Sequence, residues 1–402
     1  MAIDPAVLQS DHLRDAWEAA AALPDEPAPR DLAALRSAVR DVPGETITAI
    51  VQQTLLRRRA GAKFGRTAQS WYFTRAGLEQ SSRPAAAVRR ARRLIELGVT
   101  HLYDLGCGIG ADAHAARVSG LSVVAVDSDP VTVAVATANL PGAEVICADA
   151  TTIAVPSDAA IFVDPARRAG HRPDGSSVRT HAPERWQPPW SWVTATGARH
   201  PRTVAKAAPG IPHEAIPIDC ATEWVSIDGD LVEAAVWFPG LTDGLPRRSA
   251  VLLRSGTDPW HSETAAILSS DDPQPAASGA LGSWLLLPDP AIVRAGLVDV
   301  ACAEVHGRVV SPGIAYITTD NEPPARLGHR FRVEDVLPAR PKTLRRELRN
   351  RGIATVTIRT RGLALDPQAL RRQLQLPAEG HAAELVLTRS EGEAVALLVR
   401  AV

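Results

Sequence analysis

A short strand that runs directly into three alternating glycines constrains this chain more than any other feature. Residues 101–104 form the predicted strand, and Gly106, Gly108 and Gly110 follow it. Glycine accepts positive φ and carries no Cβ, so the backbone can pass closely beneath a ligand. The helix predicted at about 111–119 adds unpaired N–H groups at its first turn. The pattern therefore predicts a ligand cradle, although by itself it also fits the looser glycine pattern of NAD-binding folds.

Short apolar strands alternate with helices from residue 99 to about residue 207. Further strands are predicted at residues 121–126, 144–147, 160–163 and 203–207, with a helix at 130–140. Such alternation is typical of parallel β-α-β units in a doubly wound α/β sheet. Residues 233–238 and 250–254 then read as two strands with no helix between them. They predict an antiparallel pair at the far edge of the sheet.

Four acidic residues each follow one of the first four predicted strands. They are Asp104, Asp127, Asp149 and Asp164. The carboxyl ends of parallel strands meet at one edge of an open sheet, and ligands bind there. The four carboxylates are therefore expected to converge on one crevice. Capping of the following helices could account for one or two of them.

Other patterns flank this sheet on both sides. Helices are predicted before it at residues 6–22, 31–40, 45–60 and 84–97. Residues 256–280 are rich in proline, serine and aspartate, which indicates a linker. Beyond it, two basic helices with leucine spacing flank an alternating strand at 353–359, and a hairpin around Gly392 closes the chain. This second part is predicted to be a small α+β domain.

Composition limits the class of protein. The chain has 402 residues and lacks both a long apolar run and the basic and apolar regions of a signal peptide. The four cysteines show no paired spacing, so neither a disulfide framework nor a metal site is expected. A cytoplasmic location without a membrane span is the expectation.

Positive charge is concentrated in two segments although the net charge is −1. Residues 57–93 hold eleven Arg and Lys against one acid, and residues 330–372 hold twelve against four. Two such blocks on a nearly neutral protein suggest contact with a polyanion. Solvated helix faces in an arginine-rich protein are the alternative.

The strings DLGCGIGAD, VVAVDSDP, VICADAT and FVDPAR together resemble motifs I to IV of class I S-adenosylmethionine-dependent methyltransferases. The resemblance implies a Rossmann-like, seven-stranded methyltransferase domain that binds S-adenosyl-L-methionine. Asp104 is expected to meet the methionine ammonium and Asp127 the ribose hydroxyls. Asp149 and the N–H of Ala150 are expected to read the adenine edge. The remaining expected cofactor contacts are Glu79, Gly106, Cys107, Gly108, Gly110, Ser128 and Asp164.

The chain more specifically resembles bacterial methyltransferases that carry a THUMP-like C-terminal domain. This resemblance rests on TRAGLEQSS at 74–82, FVDPARR, PDPAIVRAGL at 288–297 and the basic leucine helix after Pro341. It implies three parts: an N-terminal helical region with a cofactor lid at 1–98, a methyltransferase domain at 99–265, and a THUMP-like α+β domain at 280–402. The segment around Glu79 is expected to fold over the cofactor as the lid.

The candidate catalytic residues are Asp164, Pro165, Arg167 and Lys206. Methyl transfer is an in-line displacement, for which the protein positions the nucleophile and excludes water. The Asp164 carboxylate and the Pro165 carbonyl could accept hydrogen bonds from an amine, while Arg167 could hold a phosphate and Lys206 could contact substrate. Arg167 stands where amino-methylating enzymes carry a base-stacking aromatic residue. The tryptophans that could supply stacking instead are Trp186, Trp190 and Trp192.

The leading hypothesis is a methyltransferase that acts on a base nitrogen of tRNA or rRNA, with segments 57–93 and 330–372 holding the RNA. One alternative is a methyltransferase for a protein or a small molecule. A second is an NAD-dependent oxidoreductase, which would leave Asp149 and Asp164 without a role. A third is a non-catalytic RNA-binding protein with a vestigial cofactor site. The sequence leaves the methylated atom and the oligomeric state open.

Overall fold

The computed structural model describes residues 4–166, 168–171, 177–179 and 182–402. These residues form two compact units. The first unit contains the chain up to residue 222, together with residues 232–245 and 253–263. The second unit contains residues 223–231, 246–252 and 264–402. Among the described residues, no helix combines the length and the apolar character needed to cross a membrane.

Six helices open the first unit. They are α1 (Pro5–Leu8), α2 (Arg14–Ala21), α3 (Pro29–Ala38), α4 (Gly44–Phe64), α5 (Arg75–Gln80) and α6 (Pro84–Glu96). Proline occupies the first turn of α1, α3 and α6, where its missing N–H costs no hydrogen bond. The helix α4 ends at Gly65, whose φ of +56° cannot continue a right-handed helix. The single helix predicted at 6–22 is in fact two, separated by a tight turn at Asp11–Leu13.

Eleven strands and three helices follow. The strands are β1 (His101–Leu105), β2 (Ser122–Asp127), β3 (Glu144–Cys147), β4 (Ala160–Val163), β5 (Arg168–His171), β6 (Ser177–Arg179), β7 (Thr203–Ala207), β8 (Ala221–Ile227), β9 (Asp230–Trp237), β10 (Arg248–Ser255) and β11 (Ser262–Ser270). The helices are α7 (Ala111–Val118), α8 (Pro130–Asn139) and α9 (Trp190–Arg199). Strands β5 and β6 form a separate antiparallel pair.

The other nine strands form one sheet in the order β11-β10-β8-β9-β7-β4-β1-β2-β3. Strand β1 pairs in parallel with β2 and β4, β2 with β3, and β4 with β7, whereas β9 runs antiparallel to β7. The predicted α/β class is confirmed, and the expected seven strands are present from β8 to β3. The sheet is larger than expected because β10 and β11 extend it.

Two predictions about the chain after β7 are wrong. The strands at 233–238 and 250–254 exist as β9 and β10, but they are not neighbours, because β8 stands between β10 and β9. Strand β8 has the sequence ATEWVSI, whose polar residues conceal a strand that is buried along its whole length. The linker predicted at 256–280 contains β11, so its polar composition was misleading.

The second unit contains a seven-stranded sheet and four helices. The strands are β12 (Trp284–Pro288), β13 (Arg308–Ser311), β14 (Ile314–Thr319), β15 (Gly328–Pro338), β16 (Ile353–Thr360), β17 (His381–Ser390) and β18 (Glu393–Ala401). The helices are α10 (Pro290–Ala295), α11 (Val298–Glu304), α12 (Pro341–Asn350) and α13 (Pro367–Leu374). The sheet order is β13-β14-β12-β15-β18-β17-β16. The predicted α+β character and the closing hairpin β17–β18 are confirmed.

The basic helices of this unit bury one leucine face each. Leu344 and Leu348 of α12 and Leu370 and Leu374 of α13 are buried together in one core cluster. Their spacing of four residues places each pair on one side of its helix, as the sequence predicted. The arginines between these leucines therefore lie toward the outside of the core.

Asn139 connects three separate parts of the first unit. Its side-chain oxygen accepts a hydrogen bond from Tyr72 N at 2.8 Å, and its amide donates to Tyr72 O and Ile109 O at 3.0 Å each. Asn139 is buried at the end of α8. It thereby fixes the glycine loop after β1 against the segment that enters α5.

Replacing Asn139 by Ala should lower the free energy of unfolding by about 3 kcal/mol, because each buried backbone group that loses its partner costs roughly 1–3 kcal/mol. Urea denaturation measures the change. Thr137→Ala is the matched control, since Thr137 is exposed on the same helix and should change stability by less than about 0.5 kcal/mol. Equal stability of both variants would contradict the bridging role of Asn139.

Candidate functional site

A cavity of about 620 Å³ opens at the carboxyl ends of the parallel strands. Its walls come from α5, the glycine loop, the ends of β2, β4 and β7, and the segment before α9. The lining residues are Thr74, Ala76, Gly77, Glu79, Gln80, Ser81, Gly106, Cys107, Gly108, Ile109, Ala111, Asp112, Asp127, Ser128, Thr132, Asp149, Ala150, Thr151, Asp164, Pro165, Ala166, Gln187, Pro188, Pro189 and Lys206. The volume is that of a site for a drug-sized or cofactor-sized ligand.

Strand register explains why distant residues meet here. Leu105 at the end of β1 is level with Val126 of β2 and with Val163 of β4. The next residue of each strand therefore reaches the same edge, which brings Gly106, Asp127 and Asp164 together. Val163 is in turn level with Ala205 of β7, so Lys206 follows beside Asp164.

Two glycines of the loop have separate reasons to be glycine. Gly106 has a φ of +92°, and a Cβ there would lie 3.2 Å from Asp164 O. Gly108 has a φ of +56°, and a Cβ there would meet nothing within 4 Å, so it would project into open space. Gly108 thus keeps room for a ligand. Gly110 does not line the cavity, and it packs closely on Leu140 instead.

Asp127 holds the glycine loop from the neighbouring strand. Its Oδ2 accepts a hydrogen bond from Gly108 N at 3.0 Å, and its Oδ1 accepts one from Asp129 N at 3.0 Å. A carboxylate accepts about four hydrogen bonds, so Asp127 keeps capacity for donors of a ligand. Ser128 follows it at the exposed rim of the cavity.

Asp149 lines the cavity and lies at the exposed start of a short turn. Its Oδ1 accepts hydrogen bonds from Thr151 N and Thr151 Oγ1, both at 2.8 Å. These bonds lower the pKa of Asp149, so it is ionised at neutral pH. Asp149 is therefore a capping residue as well as a lining residue, and Ala150 lines the cavity beside it.

Asp104 is the one predicted acid that does not reach the cavity. It is fully buried, and neither carboxylate oxygen has a hydrogen-bond partner among the described residues. Burial and the neighbouring carboxylates of Asp112 and Asp164 raise the pKa of Asp104 well above its usual range. Asp104 does not line the cavity. Its expected contact with the methionine ammonium stays a prediction.

A buried ion network behind the cavity was not foreseen from the sequence. Arg90 of α6 bonds Glu233 of β9 and Asp112 of α7, and it reaches Ser82 at 3.3 Å. Burial alone would lower the pKa of Arg90, but the two carboxylates outweigh it and raise the pKa. Asp112 lines the cavity and closes the DLGCGIGAD string, so its position was visible while its role was not.

The buried position of Arg90 corrects the interpretation of α6 as an RNA-binding helix. Arg90 is 3% exposed, and the carboxylates of Asp112 and Glu233 neutralise its charge, so it cannot contact a phosphate. Arg93 bonds Glu96 and the carbonyl of Asp243. Of the four arginines in this helix, only Arg92 is exposed.

Lys206 forms an ion pair with Asp164 at the cavity wall. Its Nζ lies 2.5 Å from Asp164 Oδ2. Burial alone would lower the pKa of Lys206, yet the carboxylates of Asp164 and Asp112 outweigh it and raise the pKa. Lys206 is therefore charged at neutral pH, and it holds one oxygen of Asp164 in place.

Helix α5 forms one wall of the cavity with residues 74–81. It packs on the glycine loop so tightly that a Cβ at Gly77 would lie 2.2 Å from Ile109 Cγ2. Lys63 of α4 holds its C-terminal end, because Lys63 Nζ donates to Leu78 O at 2.9 Å and to Ser81 O at 2.5 Å. Glu79 lines the cavity and lies 3.8 Å from Arg75.

The other candidate residues differ in where they lie. Pro165 is buried and lines the cavity beside Asp164. Arg167 lies outside the described residues. Trp186 and Trp190 are buried and pack edge to face at 5.7 Å, so they belong to the core and cannot stack on a base. Trp192 is half-buried and does not line the cavity.

Comparisons with known proteins agree on two family assignments. Residues 103–163 match the family model described as a methyltransferase domain, and residues 328–401 match the model described as THUMP domain-like. The chain is 34% identical over 345 residues to a protein of Mycobacterium tuberculosis (strain CDC 1551 / Oshkosh) described as an uncharacterized S-adenosylmethionine-dependent methyltransferase. This match covers 83% of the chain and 90% of the relative. A protein of the same description from strain ATCC 25618 / H37Rv matches equally.

A solved structure shares the fold over its full length. It is the crystal structure of a protein from Porphyromonas gingivalis W83 described as a "putative methyltransferase". The TM-score is 0.71 at 20% sequence identity, and the match covers 100% of both chains. At this identity, the likeness concerns the fold.

Replacing Gly108 by Ala should weaken the binding of S-adenosylhomocysteine at least about tenfold, since the added Cβ would enter the cavity and positive φ disfavours alanine. Isothermal titration measures the affinity. Gly98→Ala is the matched control, because Gly98 also has positive φ and open space but lies outside the cavity. Equal losses in both variants would indicate general strain and contradict the cradle.

Lys63 should titrate at a lower pH than the other lysines. Burial and the nearby charges of Lys206 and Arg83 lower the pKa of Lys63 to about 8. Because this value lies below the ordinary 10.5, the Lys63 contribution should make the free energy of unfolding rise between pH 8 and 10.5. NMR of protein labelled at the lysine Cε, with Lys63→Arg for assignment, gives the midpoint. A midpoint near the ordinary lysine pKa would contradict the effect of burial and of the nearby charges on Lys63.

Proposed function

The chain belongs to the S-adenosylmethionine-dependent methyltransferases, and on that premise we propose that it methylates a base nitrogen of RNA. It uses S-adenosyl-L-methionine as cofactor and carries a THUMP-like C-terminal domain. The NAD-dependent oxidoreductase considered from the sequence is therefore set aside. The base nitrogen, the RNA and the roles of individual residues are the proposed part.

The cavity at the strand ends suits this cofactor. Its volume is about 620 Å³, and Gly108 leaves the space above the glycine loop open. We assign the ribose hydroxyls to Asp127, and the adenine to the end bounded by Asp149 and Ala150. Ser128 would lie between these two groups. Gly106, Cys107 and Glu79 would complete the contacts, with α5 as the covering wall.

Cys107 takes part through its backbone and not through thiolate chemistry. Its N–H donates to Val126 O at 2.9 Å, which anchors the start of the loop to β2. Burial and the carboxylates of Asp104 and Asp127 raise the pKa of the Cys107 thiol well above its usual range. The thiol therefore stays protonated, and it is a poor nucleophile.

The placement of Asp164 beside Gly106 and Lys206 carries the catalytic proposal. When bound, the cofactor supplies an electrophilic methyl group on a sulfonium. Asp164 accepts a hydrogen bond from the target amine and then its proton, while the Pro165 carbonyl accepts a second hydrogen bond. Lys206 positions Asp164 by holding its Oδ2. A carboxylate suffices as base, because an aromatic amine becomes strongly acidic once it bears a fourth substituent.

Exposed cations and the THUMP-like domain support RNA as the substrate. The THUMP-like match spans residues 328–401 and includes the whole of the second basic segment. Exposed basic residues in that segment include Arg340, Lys342, Arg346, Arg349, Arg371 and Arg372. Others serve the fold, such as Arg351, which bonds Glu347 and Asp335. The remaining exposed charges could contact phosphates, which provide most of the affinity for RNA.

Mass spectrometry of total RNA from cells with and without the protein should reveal one missing methylated nucleoside. Purified wild-type protein should restore it on the isolated RNA. Asp164→Ala should reduce this methylation at least about 100-fold, the usual contribution of a positioned base, and should retain S-adenosylhomocysteine binding. Asp158→Ala is the control, since Asp158 is exposed and outside the cavity.

Different outcomes separate the parts of the proposal. If no RNA nucleoside changes, RNA is not the substrate, and a protein or small-molecule acceptor follows. If Asp164→Ala turns over like the wild type, Asp164 has no part in the reaction. A positioning role of Lys206 predicts that Lys206→Met lowers kcat and shifts its pH profile with little change in KM, while Lys206→Arg restores part of the rate.

A further inference from the structure

A second cavity of about 610 Å³ lies among the N-terminal helices of the first unit. Residues of α2 and α4 and of the segment between α4 and α5 form it. The lining residues are Trp17, Glu18, Ala21, Thr54, Arg57, Arg58, Gly61, Gly65, Ala68, Gln69 and Tyr72. None of these residues lines the first cavity.

Arg57 is fixed in this cavity by its neighbours. Its guanidinium carbon lies 4.3 Å from the ring centre of Trp17 and 4.8 Å from that of Tyr72. Its Nε donates a hydrogen bond to Trp71 O at 2.9 Å. Two aromatic rings and one backbone carbonyl thus hold the guanidinium group in place. A side-chain hydrogen bond with Tyr72 adds to these contacts, so the guanidinium needs little further ordering when it binds a ligand.

The charge of Arg57 is not compensated by the protein. Within the described ranges of the chain, Arg57 forms no ion pair, although Glu18 lines the same cavity. Burial lowers the pKa of Arg57, and only the Tyr72 side chain opposes this. The fully buried Arg90 shows the contrast, because two carboxylates neutralise its charge. A half-buried cation that forms no ion pair is expected to attract an anion.

The residues around Arg57 suit a phosphate group better than a large, folded polyanion. Arg58 also lines the cavity, where it is paired with Asp25 at 3.0 Å and donates to Ala21 O at 2.8 Å. The half-buried ring of Trp17 provides apolar surface for a flat group next to the anion. Exposed Glu18 and Gln69 offer an acceptor and a donor for the edge of a base.

We infer that the cavity around Arg57 binds a phosphate group. Resting on the proposed RNA methylation, the source of this phosphate is the backbone of a single-stranded stretch of the substrate RNA. The same segment that holds Arg57 through Trp71 continues through Thr74 into α5, which lines the methyl-transfer cavity. RNA bound at Arg57 is thereby held against the element that covers the cofactor.

Binding of two probes to wild-type protein and to Arg57→Gln tests this site. The probes are UMP and a short single-stranded RNA, both with saturating S-adenosylhomocysteine so that the first cavity is filled. Wild-type protein should bind both, and Arg57→Gln should bind both about tenfold more weakly, since the charged hydrogen bonds to the phosphate are lost. For RNA, the slope of log affinity against log salt should fall by about one.

Two further variants make the result interpretable. Arg36→Ala removes an exposed arginine of α3 outside the basic segments and should bind both probes like the wild type. Arg57→Lys keeps the charge but loses the fixed fork of donors, so its affinity should lie between wild type and Arg57→Gln. It also serves if Arg57→Gln does not fold, which circular dichroism reveals.

The outcomes distinguish this site from the proposed function. If UMP binding depends on Arg57 while RNA does not bind wild-type protein, the phosphate site stands and the RNA substrate falls. If RNA binds but neither probe responds to Arg57→Gln or Arg57→Lys, the site is refuted and RNA methylation is untouched. If only RNA responds, the phosphate is that of the polymer and not of a free nucleotide.

Discussion

The buried ion network around Arg90 is the interaction on which the site depends. Arg90 of α6 links Glu233 of β9 to Asp112 of α7. These elements are far apart in the chain, and they meet directly behind the cavity. Removing one partner of such a buried network leaves an uncompensated charge, which costs several kcal/mol. The network therefore fixes the helix that begins at the glycine loop against the sheet.

The same network adjusts the electrostatics of the reaction site. Lys206 is buried near Asp112 and Glu233 as well as Asp164, and these carboxylates together keep it charged. The charge on Lys206 in turn holds Asp164 in one orientation at the cavity wall. Asp104 completes the group as a fully buried carboxyl whose pKa is raised, so it is suited to stay protonated among its acidic neighbours. Structural and reactive charges are thus parts of one set.

The basic residues of segment 57–93 have three different roles, although the sequence presents them as one block. Arg90 is internal, Lys63 holds the end of α5, and Arg57 lies over two aromatic rings in a second cavity. Composition alone suggested contact with a polyanion or a solvated helix face. The structure instead divides the block by burial, and it reduces the number of cations that can meet a phosphate.

The sequence by itself determined the α/β alternation, the glycine loop and the strand-end acids, because helix and strand periods and turn glycines are local signals. It also indicated the C-terminal α+β domain, whose leucine spacing is regular. Strand β8 was missed, since its polar residues are buried only through its place within the sheet. Only the tertiary structure decided that Asp112 lines the cavity while Asp104 lies beneath it, and that Arg90 is paired internally. Arg90 and Glu233 are 143 residues apart, and no local pattern can report which distant charges share a buried space.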